Sequence, residues 1–324
     1  MKITNNLNLH PVIAVWLAEN GYSGSNDATH ISTTGLLRST RQQVLLRKCI
    51  RDNCEVAVDI STLMKSKMGT AIHKCIEEAW KDPESLRKAC ETLGWSDSRI
   101  DRIHVNPEEP IEGETNVYFE QRAHRDFNGW RINGEFDCVL NGTVIDFKST
   151  STYTYMNKIK EQDYIKQLSI YRWLNPKLIT DDVGIIQFIF TDWNQKYALG
   201  NPDYPQHPFV MIKLPLMSLE ETEEFIATTL RGIDYYTEHE DELPMCDDHA
   251  LMINTEWQYF ASGDTSKRSS KNFKSYDESV KYMASKGNTG IIKKKAQEPK
   301  GCAYCACRDV CTQYTKFKQM GLIK

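Results

Sequence analysis

Glu120, Asp137, Asp146 and Lys148 form the constellation with the most chemistry in this chain. Two Asn-Gly pairs, Asn128-Gly129 and Asn141-Gly142, separate three runs rich in β-branched and aromatic residues, the strongest short-range hairpin signal. Two-residue turns at both pairs set the register of three strands, because residues equidistant from a turn face each other. Asp137 then falls opposite Asp146, and Glu120 opposite Asp137. Lys148, two residues beyond Asp146, lies on the same face. That register adds Val139 and Val144 to the acidic face and sends Trp130, Ile132, Phe136, Cys138, Leu140, Ile145 and Phe147 to the other. Adjacent cross-strand carboxylates repel, so a row of three calls for a positive charge between them. A divalent cation such as Mg²⁺ or Mn²⁺ answers that need and leaves positions for water and phosphate. Lys148 is then placed to orient an attacking water or to stabilise charge developing on the phosphate.

A second constellation is the dense cysteine run Cys302-x2-Cys305-x5-Cys311. Three thiolates at this spacing hold a metal if a fourth ligand arrives from elsewhere. Iron–sulfur and zinc are not separated by spacing alone. Cys307 is a spare thiol within the run, and Cys54, Cys75, Cys90 and Cys138 read as small buried apolar residues.

The chain has 324 residues, with 40 basic and 44 acidic side chains. Residues 262–300 alone hold ten Lys/Arg against four acids, a local charge of +6 on a chain of net −4. Lys267, Arg268, Lys271, Lys274, Lys293, Lys294 and Lys295 are therefore candidate contacts of a phosphate-binding face. No run approaches the roughly 18 apolar residues of a membrane span, and the start lacks the apolar core of a signal peptide. A reducing bacterial cytoplasm is the expected compartment, where clustered cysteines read as metal ligands.

Several elements must position these groups. Met64, Met68, Ile72, Ile76 and Trp80 form one stripe of an amphipathic helix over 61–80, with Ser61 or Thr62 as N-cap. A helix is predicted around 160–174, strands at 183–190 and 209–214, and a long helix at 218–239 opened by a Ser218/Glu221 capping box. The expected class is α/β, a mixed central sheet flanked by helices. The expected regions are an N-terminal helical region (1–60), a core (61–243), and a C-terminal basic and cysteine region (244–324).

Gly134-Glu135-Phe136-Asp137 followed by Asp146-Phe147-Lys148 resembles the D…(D/E)xK signature of the PD-(D/E)XK nuclease superfamily. Gly69-Thr70-Ala71-Ile72-His73 is similar to the GxxxH helix of its RecB-like exonuclease branch, and Gln167-x3-Tyr171 to the QxxxY helix. The resemblance implies His73, Asp137 and Asp146 as metal ligands, Lys148 as catalytic, and Gln167 and Tyr171 as support for the site and the scissile strand. Glu120 enters through the register argument, since the family pattern is looser there.

The cysteine run is similar to the C-terminal triad of the iron–sulfur members, the CRISPR-associated exonucleases and their bacteriophage-encoded relatives. For the fourth ligand that likeness offers Cys49 near the N-terminus or, in the phage-encoded pattern Leu243-Pro244-Met245-Cys246 with Trp257 downstream, Cys246, which is preferred. It implies a 4Fe–4S cluster, with Zn²⁺ as the alternative. A cross-link from Cys246 to 302–311 is expected to clamp 262–300 as a loop.

The leading expectation is a metal-dependent exonuclease on single-stranded DNA ends in recombination, repair or phage genome processing, with recombination or replication proteins as partners. The alternatives are a structure- or sequence-specific endonuclease and a non-catalytic DNA-binding module. A helicase or ATPase is not supported, because no GxxxxGK[ST] loop occurs.

Overall fold

The computed structural model describes residues 2–19, 27, 29–52, 57–158, 160–247, 250–253, 256–295 and 298–323. Cys54 lies outside them. The chain divides into two compact units, Met1–Leu37 with Ala57–Asp234, and Arg38–Val56 with Tyr235–Lys324. Among the described residues the helices of eight residues or more are α1 (Pro11–Ala18), α2 (Thr40–Arg51), α3 (Met64–Lys81), α4 (Pro83–Thr92), α5 (Glu161–Leu174), α6 (Leu219–Glu238), α7 (Tyr276–Ser285) and α8 (Thr312–Gln319).

The first unit is built on a seven-stranded mixed sheet. Its strands are β1 (His30–Ser32), β2 (Ile103–Val105), β3 (Thr115–Phe127), β4 (Trp130–Leu140), β5 (Thr143–Thr150), β6 (Val183–Phe190) and β7 (Phe209–Pro215). The order is β2-β3-β4-β5-β6-β7, with β1 added beside β4. Asn128 and Asn141 have φ of 51° and 47° and are followed by Gly129 and Gly142 at 79° and 89°, the positive pairs that a tight hairpin turn requires. The predicted register follows from them, with Phe127 opposite Trp130 and Leu140 opposite Thr143.

Strand β4 changes neighbour along its length. Residues 131–133 pair with β1 in parallel, whereas 138–140 pair with β5 antiparallel. Between these stretches the β4–β5 ladder opens, and the parallel pairing of β5 with β6 carries the sheet onward. Strand β6 alternates half-buried and buried residues over its whole length, presenting Ile186, Phe188 and Phe190 to one core. That core joins Tyr164, Leu168 and Tyr171 of α5 to Val139 and Val144. Leu168 and Ile186 are fully buried, each contributing roughly 1.5–3 kcal/mol. The other face packs Ile76 and Trp80 of α3 against Val117, Phe119, Cys138, Ile145 and Phe147.

Three expectations for this unit change. Phe136 packs with Val139 and Val144 on the α5 side, not with Cys138, because the strand's alternation breaks at Asp137. The helical turn before α3 starts at Ile60 and is capped by Asp59, whose carboxylate accepts from Ser61 N, so neither Ser61 nor Thr62 is the cap. Met64 and Met68 stay exposed at 42% and 38%, so just the C-terminal half of the predicted stripe is used. Cys90 and Cys138 are buried as expected, whereas Cys75 is exposed. The Ser218/Glu221 capping box is present, with Ser218 N donating to Glu221 and Glu221 N to Ser218 Oγ.

In the second unit, residues 262–300 do not form a loop. Strands β8 (Trp257–Phe260), β9 (Lys271–Phe273) and β10 (Ile291–Lys294) make an antiparallel sheet with β8 central, packed on α7. Tyr282 of α7 meets Tyr259 and Phe273, and Tyr276 meets Trp257. These aromatic residues supply a small core of their own within the charge-rich sequence.

Candidate active site and cysteine cavity

The gap in the β4–β5 ladder is where the predicted catalytic groups meet. Glu120 and Asp137 stand opposite each other in register, yet neither joins the ladder, while the pairs on both sides do. Glu120 has a left-handed φ of 47°, which takes its backbone out of the ladder without shifting the register on either side. Asp137, 9% exposed, accepts the Phe147 N–H through Oδ2 at 2.7 Å and so replaces the missing strand contact with a side-chain one.

His73, projected from α3, lies 2.9 Å from the Phe147 carbonyl through Nε2 and 3.5 Å from Asp137 Oδ1 through Nδ1. A carbonyl accepts, so Nε2 carries the proton and Nδ1 presents its lone pair toward the acids, the arrangement that orients a metal-ligating imidazole. Burial lowers the His73 pKa, but the hydrogen bond that a protonated Nδ1 would donate to Asp137 and the charges of Asp137 and Asp146 outweigh it, and the net shift is upward. One ligand atom each from His73, Glu120 and Asp137 lie within 4.8 Å of one another. Burial and then the Asp137 charge push Glu120 up to about 7.

Asp146 is 1% exposed, and burial raises its pKa even though Lys148 opposes the rise. Its Oδ2 sits 2.6 Å from Lys148 Nζ, but without the alignment of a hydrogen bond, so that buried oxygen lacks a proper donor. Lys148 Nζ donates to Gln167 Oε1 at 3.1 Å, and Gln167 Nε2 donates to the Tyr171 hydroxyl at 2.9 Å. Gln167 and Tyr171 therefore hold the lysine from α5 while Asp146 holds it from β5.

Sequence reasoning missed two contributors. The backbone N–H and C=O of Phe147 anchor Asp137 and His73, and no side-chain pattern encodes that. Tyr164 lies with its ring 5.6 Å from Lys148 Nζ. Its position one turn before Gln167 on the same helix was the available signal.

The donor set suits a hard divalent cation. Two carboxylates and an imidazole converge, a carboxyl is held high by burial and its neighbour's charge, and an adjacent buried carboxylate oxygen is underused. The sequence matches the family model of the PD-(D/E)XK nuclease superfamily over residues 46–312. The chain belongs to that superfamily.

No curated protein matches this nuclease. Among solved structures, the protein SSO0001 is similar at a TM-score of 0.41 and 15% identity, over 68% of this chain and 84% of that one. The alkaline exonuclease LHK-Exo of Laribacter hongkongensis, in complex with dAMP, aligns at a TM-score of 0.30 and 13% identity over 68% and 96%. A phage-related exonuclease from Haemophilus somnus 129PT aligns at 0.26 and 16% over 49% and 68%.

In the second unit of the nuclease, Cys246, Cys302, Cys305, Cys307 and Cys311 line one cavity, and Cys49 is not among its lining residues. Burial and then the neighbouring Cys246, Cys305 and Cys311 push the Cys302 thiol up to about 11. Among the described residues, no three of these sulfurs lie within 4.8 Å of one another. Helix α2 organises the surroundings. Ser39, its N-cap, has Oγ 3.3 Å from Cys246 Sγ, and Gln42 Nε2 donates to Cys305 Sγ at 3.8 Å. Arg41, 7% exposed, donates to the Leu243 and Pro244 carbonyls and to Thr312 Oγ1, tying the segment before Cys246 to the residue after Cys311. Arg41 Nε and Gln313 Nε2, both on cavity-lining residues, are buried donors without an acceptor.

The basic candidates lie in and around the small sheet, with part of their charge locally engaged. Lys295 pairs with Glu256 at 2.7 Å and Lys267 with Asp264 at 3.7 Å, while Lys271 sits over the Tyr282 ring. Lys293 and Lys294 are exposed on β10, and Arg268 and Lys274 flank β9. Among the described residues, no helix is long and apolar enough to cross a membrane.

Proposed function

We propose that this nuclease is a divalent-metal-dependent deoxyribonuclease that degrades DNA from single-stranded ends. The observation that carries the reading is the convergence of His73, Glu120 and Asp137 beside a lysine held by Asp146 and Gln167. Mg²⁺ or Mn²⁺ fits His73, Glu120 and Asp137, with Asp146 as the further ligand that the sequence motif assigns. A cation bound there neutralises the scissile phosphate, which the acids alone would repel, and acidifies water. Lys148 keeps its ammonium placed by the Asp146 charge and by its donation to Gln167 Oε1, so it can donate to the attacking water or to a phosphate oxygen with little reorganisation. Gln167, itself fixed by Tyr171, holds Lys148 from the α5 side.

The second half of the proposal assigns Cys246, Cys302, Cys305 and Cys311 to a 4Fe–4S cluster. The unpaired Arg41 and Gln313 donors suit the anionic sulfurs of a cluster. Iron, sulfide and zinc analysis of anaerobically purified protein tests this assignment, and stoichiometric zinc without iron would overturn it. The setting in keeping with this reading is recombination, repair or phage genome processing in a bacterial cytoplasm.

The deciding experiment is a time course on end-labelled linear single-stranded DNA with Mn²⁺ or Mg²⁺, run with the parent and with Lys148→Ala. Progressive shortening by the parent alone is expected. Cleavage of closed circular single-stranded DNA would replace the exonuclease with an endonuclease, and equal digestion by Lys148→Ala would remove the site assignment.

A further inference from the structure

Beside the candidate active site, the first unit carries an open cleft of about 480 Å³. Its lining includes Tyr155, Tyr164 and the partly exposed Met156, with the exposed Lys158, Lys160 and Lys213. The volume lies within the roughly 300–1,000 Å³ of small-molecule sites. Tyr164 joins the two places, because its ring lines the cleft and also lies against Lys148 Nζ. The cleft is therefore one aromatic ring away from the group that faces the reacting phosphate in the reading above.

The lining has the chemistry of a nucleotide. Tyr155 and Tyr164 are braced edge-on against Phe188, with ring centroids 5.2 and 5.9 Å away, so the wall is rigid and aromatic. Two acids, Glu161 and Asp203, also line the cleft. Glu161 is partly engaged, 3.7 Å from Lys158. Lys160 and Lys213 are exposed and have no acidic partner within 4.0 Å among the described residues. Aromatic walls stack bases irrespective of sequence, and unpaired exposed lysines take phosphates.

We infer that this cleft is a subsite for one unpaired nucleotide of the substrate strand, next to the phosphate positioned at Lys148. The inference rests on the nuclease reading and deepens it, since the cleft then supplies the preference for single-stranded ends. A base held in a duplex cannot leave its partner to enter without the cost of unpairing.

The test is binding of 5′-labelled dT12 to the full-length protein in EDTA, read by fluorescence anisotropy across a salt series. Parent and Lys160→Ala/Lys213→Ala are compared, with a blunt duplex in parallel and melting curves to confirm folding. The double variant should bind dT12 at least about tenfold more weakly and lose roughly 1.4 from its salt slope, about 0.7 for each phosphate contact on a single strand, while duplex binding changes little. Met156→Glu, which places an anion at a partly exposed lining position, should weaken dT12 binding in the same way. Unchanged dT12 binding in both variants, or an equal loss on duplex, overturns the subsite while parental cleavage of single strands leaves the nuclease reading intact. A parent that neither binds nor cleaves single strands overturns that reading, and the subsite with it.

Discussion

Lys148 shows how little freedom the side chain proposed for catalysis is given. Asp146 holds its ammonium from one strand and Gln167 from the facing helix, and Tyr171 fixes the glutamine in turn. Lys148→Ala and Asp137→Asn should therefore each lower the cleavage rate by about 10²-fold or more, measured under single-turnover conditions. Gln167→Ala should cost less, on the order of tenfold, because Asp146 still orients the lysine. Glu120 makes the opposite kind of prediction, for stability. Its carboxylate is forced beside Asp137, and removing the charge relieves the repulsion. Glu120→Gln should raise the melting temperature of metal-free protein at neutral pH by roughly 2 °C. The same variant should lose most of the stabilisation that millimolar Mn²⁺ gives the parent. A lower melting temperature in EDTA would contradict the crowding of charge on which the metal site rests.

The elements around the site are joined by close approach as much as by hydrogen bonds. Gly134 packs where α5 and the Thr33 turn meet β4. A methyl group there would stand 2.4 Å from Thr33 Oγ1, 2.8 Å from Leu174 Cδ1 and 3.2 Å from Tyr171 Cδ1. Thr33 is short and its hydroxyl donates to the Asn133 carbonyl, so it has little room to yield. Gly134→Ala should cost about 1–3 kcal/mol in urea unfolding. It should also lower activity, since the Tyr171 ring that braces Gln167 must move. Stability and activity both at parental levels would show that α5 can retreat without disturbing the lysine.

At the scale of the whole molecule, the chain feeds each unit from two separated segments. The segment Arg38–Val56 joins the cysteine unit although it precedes most of the nuclease sheet in sequence. Arg41 gives that excursion a purpose, because one guanidinium ties residues 243 and 244 to 312. On the cluster proposed for Cys246, Cys302, Cys305 and Cys311, Arg41→Ala should reduce iron per chain and visible absorbance to nearly the level of Cys246→Ser. Arg41→Lys should not restore them, since a single ammonium cannot span both anchors. Full iron in Arg41→Ala would reduce the arginine to a packing role.

Much of this was legible in the sequence. The turns at Asn128-Gly129 and Asn141-Gly142 require positive φ, and counting outward from them set Glu120 opposite Asp137, while the ligand atoms that converge are those of His73, Glu120 and Asp137 and not of Asp146. The limits of β6 and the capping box of α6 follow from period and local hydrogen bonding. Tertiary structure decided what no local rule contains. The ladder opens at Asp137 because β4 exchanges one neighbour for another there, which turned Phe136 to the opposite core and left Glu120 and Asp137 outside the ladder. Residues 262–300 read as a loop because short strands among lysines and serines show little period, yet cross-strand pairing and the Tyr282 contacts fold them. Arg41 had no signature at all, because its partners lie some 200 to 270 positions away along the chain. Sequence alone determines what depends on neighbours within a few residues, and the packed chain decides what depends on groups that meet only after folding.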